Sequence, residues 1–86
     1  MNAEELLAQL RQEGFTTLSL QEDPPHKFYP AHATKTVHII LQGTMWVTLN
    51  HEKILLTRGK RLDIPQNTMH DAKIGMDGCN YIIGEE

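Results

Sequence analysis

The sequence has a single cysteine, Cys79, so no internal disulfide can staple a domain this small. That count suits a reducing compartment. Basic runs never exceed two residues, as at Lys60-Arg61, and the formal charge is −3, which argues against nucleic-acid binding by phosphate neutralisation. No apolar stretch approaches the roughly 20 residues that cross a bilayer, so no membrane partner is expected. The chain opens Met-Asn-Ala-Glu-Glu, acidic where a secretory leader is basic, and the expected location is the cytoplasm. There is no phosphate-cradling glycine loop and no serine nucleophile motif. Carboxylates offer no acid–base pair either. Gln21-Glu22-Asp23 runs into Pro24-Pro25 and reads as a solvated loop, and Asp63 lies between Leu62 and Ile64, facing outward. Cys79 has no activating base nearby and reads as a buried, inert thiol.

What remains describes one domain. Eighty-six residues are enough for one domain and too few for two. A chain of this length buries roughly two thirds of its unfolded surface at most, so its stability margin is thin and partner chains often supply further burial. A hydrophobic fraction of 40% with 22% charged residues is that of a globular protein.

Asn2 and Glu5 have capping-box spacing, and Ala3, Leu6, Leu7 and Leu10 recur at helical spacing before Gly14, which predicts a helix over 3–13. Everything beyond it is β-prone. Short extended runs are predicted at 15–20, 26–29, 36–41, 44–49, 53–57, 61–64, 69–74 and 79–83, separated by turn residues such as Gly43, Asn50-His51-Glu52 and Gly75-Met76-Asp77-Gly78. Strands at roughly 8–12-residue intervals indicate a sandwich or barrel. Alternation puts Met45, Val47 and Leu49 on one face with Trp46 and Thr48 on the other. It also puts His70, Ala72 and Ile74 opposite Asp71 and Lys73, so His70 falls on a buried face. His26 and His51 fall near turns and read as solvated.

The spacing Gly59-x5-Pro65-x-Asn67-x2-His70 resembles the second cupin motif, G-x5-P-x-G-x2-H-x3-N. Upstream, His32-x3-Thr36-x6-Gly43 is similar to the back half of the first, G-x5-H-x-H-x3-E-x6-G. The resemblance covers about residues 26–84. It implies an all-β cupin-type double-stranded β-helix barrel over residues 15–86, with residues 1–14 as an N-terminal helix of the same domain. The departures fall on the metal. Pro24 and Pro30 replace the opening Gly and first His, Thr36 replaces the Glu, and Ile74 replaces the final Asn. Asn67 for Gly is mild, because Asn tolerates the left-handed conformation.

By the family register Thr36 faces the barrel interior, and alternation sends His38 the same way, roughly 6–7 Å deeper. The resemblance matches His32 and His70 to metal ligands, and with His38 added by alternation they would form a three-imidazole site suited to Zn, Fe, Mn, Ni or Cu, with Thr34, Thr36 and Met45 lining a ligand pocket. The outward Trp46 invites cover by the N-terminal helix or by a second subunit, and the resemblance also favours a homodimer. Three functions compete: a metal-binding cupin acting on a small polar molecule, a metal-free cupin that binds such a ligand, and a dimerisation module with a filled barrel.

Overall fold

The computed structural model describes residues 2–86. A helix, α1 (Ala3–Gln12), precedes six strands: β1 (Thr17–Asp23), β2 (Phe28–His32), β3 (Thr36–Leu49), β4 (Glu52–Leu56), β5 (Arg61–Ile64) and β6 (His70–Glu85). Asn2 Oδ1 accepts the Glu5 backbone N–H at 2.9 Å, and the Glu5 carboxylate takes the Asn2 side-chain amide at 3.3 Å. The start of the helix is therefore capped by the residues whose spacing predicts it.

Two pairs of expected strands are single strands. The ladder of β3 runs through Gly43, and that of β6 runs through Gly75-Met76-Asp77-Gly78, where the sequence pattern predicts turns. β3 and β6 pair antiparallel over nearly their whole lengths, with register shifts between Ile40 and Gln42 and between Gly43 and Met45. Such bulges bend a strand without ending it. Glycine makes the bend sterically feasible. Gly43 has φ +84°, and a Cβ there would lie 2.2 Å from the Gly78 carbonyl oxygen. β1 also runs on through Glu22 to Asp23, beyond its expected end, and Pro24-Pro25 stops it.

The bend folds one six-stranded sheet into two facing halves. In one half, β1 pairs with the C-terminal part of β6, and β5 with the first residues of β3. In the other, β2 pairs with the N-terminal part of β6, and β4 with the last residues of β3. Asn50 and His51, with φ of 51° and 68°, form the tight turn between β3 and β4. Pro30 stands where the β2 ladder slips, on a strand paired along one side only, which is where proline is tolerated.

The inner faces hold the main core, which includes Ile40, Met45, Val47, Leu56, Ile64 and Ile74. Each large aliphatic among them contributes roughly 1.5–3 kcal/mol by leaving water. A second cluster lies outside the sheet. There Leu10 of α1 and Phe15 cover Val37, Ile39 and Ile82, the outward residues of β3 and β6. Arg61 ties the helix end to β5 through hydrogen bonds to Glu13 and Asp63. The chain is thus an all-β barrel with one short helix laid on its outer wall.

Candidate functional site

Part of the space between the two halves is not filled by aliphatic side chains. It is a cavity of about 220 Å³, walled by polar groups from four strands. Alternation explains the lining. Directly opposed residues of paired strands face the same side, so Ser19 and Gln21 of β1 point inward with their partners Ile83 and Tyr81 of β6. His38 of β3 opposes Ile83, and His32 of β2 opposes His70 at the start of β6. Tyr29, Ala72 and Glu85 complete the wall.

The histidines converge. The rings of His32 and His70 are 4.3 Å apart between centroids, and His38 meets His70 edge-on at 6.3 Å. Nδ1 of His70 lies 3.1 Å from the Thr68 carbonyl, which can only accept, so this nitrogen carries the proton and donates. In the neutral ring Nε2 then accepts from the Thr36 hydroxyl at 3.3 Å. His38 is 3% exposed, and its Nδ1 has no hydrogen-bond partner. Burial, reinforced by the nearby His70 and His32, pushes its pKa down to about 4. Burial also lowers that of His70, against the Thr68 hydrogen bond. Both rings are therefore uncharged at neutral pH.

Also on the cavity wall, Tyr29 and Tyr81 each donate to Oδ2 of Asp23 at 2.6 Å, and Lys27 lies 3.5 Å from Oδ1. Burial raises the Asp23 pKa, but the two phenols and then Lys27 outweigh it, and the net direction is down. Tyr81 is held protonated by burial and by this carboxylate.

The structure places the sequence-derived candidates unevenly. His32, His38 and His70 share the cavity wall, whereas Thr34, Thr36 and Met45 are not part of it. Thr34 is exposed and lies 3.2 Å from His32 Nδ1. Thr36 is fully buried against His70, and Met45 is inside the main core. His26 and His51 are exposed, as expected. Burial and then Asp23 push the Cys79 thiol up to about 11, which leaves it inert at neutral pH.

Asp23 is a correction: it is buried at the end of β1, not solvated in a loop. Tyr29, Tyr81 and Glu85 are further wall residues that motif spacing does not mark. Their one sequence signal is period two, with Cys79, Tyr81, Ile83 and Glu85 on the inner face of a strand longer than its apolar run.

A metal at this site is implied by the cupin motifs, and the donors do not fit one as placed. Among the described residues no three His, Cys, Asp or Glu are grouped to hold an ion. The inward lone pair of His70 is taken by Thr36, whose neutral hydroxyl stands where the motif has a carboxylate. The 6.3 Å between the His38 and His70 ring centres is at the outer limit of what two imidazoles with bonds of about 2 Å to one ion can span. A larger groove, about 770 Å³, lies on the outer sheet face around Phe28, Trp46, Leu55 and Met76.

No family model and no curated protein matches the chain. Solved structures do. A cupin superfamily protein from Desulfitobacterium hafniense superposes with a TM-score of 0.73 at 20% identity, over 84% of this chain and 68% of that one. A cupin-2 domain containing protein from Shewanella frigidimarina gives 0.69 at 18% identity, over 99% and 92% of the two chains. Salicylate 1,2-dioxygenase from Pseudaminobacter salicylatoxidans gives 0.71 at 19% identity over 79% of this chain, which spans only 21% of the dioxygenase. At such identities the likeness establishes the fold.

Proposed function

We propose that this chain, a cupin-fold barrel, binds a small polar molecule in the cavity lined by His38 and Tyr81 without a metal ion. The observation that carries the reading is a cavity lined by His32, His38, Tyr29, Tyr81 and Glu85 in which Thr36 already occupies the inward nitrogen of His70. The cavity is also concave and mostly apolar with a few convergent polar groups, as small-molecule sites are.

The metal-binding reading draws support from three imidazoles on one wall, and one experiment separates the two. Protein reconstituted with Zn2+ or Fe2+ is desalted and its metal content measured, with unfolding followed in the presence and absence of chelator. The expected result is well under one equivalent and an unchanged Tm. One retained equivalent, lost in both His32→Ala and His70→Ala, would overturn the metal-free reading.

A second copy of the chain is the partner proposed for the outer groove. Leu55, Trp46, Lys73 and Phe28 form a cross-strand row over β4, β3, β6 and β2, with Trp46 41% and Met76 74% exposed. Lys53 and Lys73 on this face balance Asp71 and Asp77, so a two-fold pairing brings no net repulsion. Among the described residues no helix is long and apolar enough to cross a membrane. A cytoplasmic location belongs to the same proposal and is supported by the unpaired, buried Cys79.

A further inference from the structure

We propose that the cavity discriminates by charge, taking uncharged or cationic molecules that carry N–H groups and turning away anions. This rests on the cavity being a ligand site and names the class it accepts. The lining residues include the Glu85 carboxylate and no lysine or arginine. Asp23 adds a second negative charge behind the tyrosine hydroxyls. The nearby cations are already engaged, Lys27 with Asp23 and Lys35 with Glu86 at 2.8 Å.

Among the described residues, no basic side chain other than the imidazoles of His32, His38 and His70 lies on the wall. An anion entering the barrel would lose hydration and meet the Glu85 carboxylate with no lysine or arginine on the wall to offset it. A cation or a neutral amide meets instead the acceptor carboxylate of Glu85. The tautomer of His38 is free to adapt, because no other group fixes it. At about 220 Å³ the space exceeds the roughly 150 Å³ void that takes up benzene, so a single ring with one polar substituent is of suitable size.

Benzamide, benzamidinium and benzoate are nearly the same shape and differ in charge, which makes them a matched set of probes. Their affinities for the full chain at pH 7.5 are measured by titration, with the His38 and Tyr81 ring resonances reporting the location. Benzamidinium and benzamide are expected to move those resonances saturably, with benzoate at least tenfold weaker than benzamidinium. Glu85→Gln is expected to narrow the benzamidinium–benzoate gap at least threefold. Benzoate binding as tightly as benzamidinium, or a gap unmoved in Glu85→Gln, overturns the charge selectivity while leaving the site itself standing. Should none of the three disturb His38 or Tyr81, both the selectivity and the binding reading fall.

Discussion

His38 gives a single side chain a measurable signature. Its pKa is about 4 in the fold against 6.5 for a free imidazole. Between those values the unfolded chain binds the proton and the folded chain does not. Its contribution is therefore complete above pH 6.5 and declines as pH falls to 4, by up to about 3 kcal/mol. His70, shifted the same way, adds to the slope. Asp23 is shifted down as a carboxylate, so its contribution is lost only at still lower pH. Urea unfolding at pH 7, 5.5 and 4 measures the sum, and His38→Leu is expected to flatten the slope between pH 6.5 and 4. Tyr81→Phe removes one of two phenol donors to a buried carboxylate. It is expected to cost about 2 kcal/mol in the same assay at pH 7. That positions 32, 38 and 70 face the interior is readable in the sequence, from motif spacing and alternation. The Tyr29–Asp23–Tyr81 cluster is not. The inner face of β1 is polar (Ser19, Gln21, Asp23) while its apolar pair, Leu18 and Leu20, lies on the outer face, so alternation alone points the strand the wrong way, and contact between β1, β2 and β6 exists only once the sheet has folded.

Among the elements, the bent strands β3 and β6 both line the cavity. In the sequence Gly43 and the Gly75–Gly78 segment look like turns because glycine usually interrupts a strand. Here it lets backbone approach backbone at the corner while pairing continues on both sides. Gly43→Ala is accordingly expected to destabilise by about 3 kcal/mol or more, combining left-handed strain with a clash against the Gly78 carbonyl. Gly59 has a similar φ of +86° but open space around it, so Gly59→Ala is expected to cost only about 1 kcal/mol. Urea midpoints of the two variants check the contrast. The helix is legible to within a residue because its signals, Asn2, the leucine spacing and Gly14, are all local.

At the scale of the whole molecule, barrel and helix follow from pattern, whereas the cavity's chemistry follows from departures from that pattern. Thr36 in place of a carboxylate turns the lone pair of His70 toward a hydroxyl, and no periodicity foretells what the other imidazoles then do. The outer face makes its own prediction. A copy packed on Trp46 is expected to give a dimer in light scattering at tens of micromolar, and Trp46→Glu is expected to give monomers with the far-ultraviolet spectrum retained. The most direct test of the central claim is a long-range nitrogen–proton spectrum of the histidine rings at pH 7.5, recorded while benzamide is added and then repeated with one equivalent of Zn2+. A neutral His38 ring that shifts with benzamide and ignores zinc is the expected result. Zinc capturing His32, His38 and His70 together, with benzamide leaving them unmoved, would contradict it.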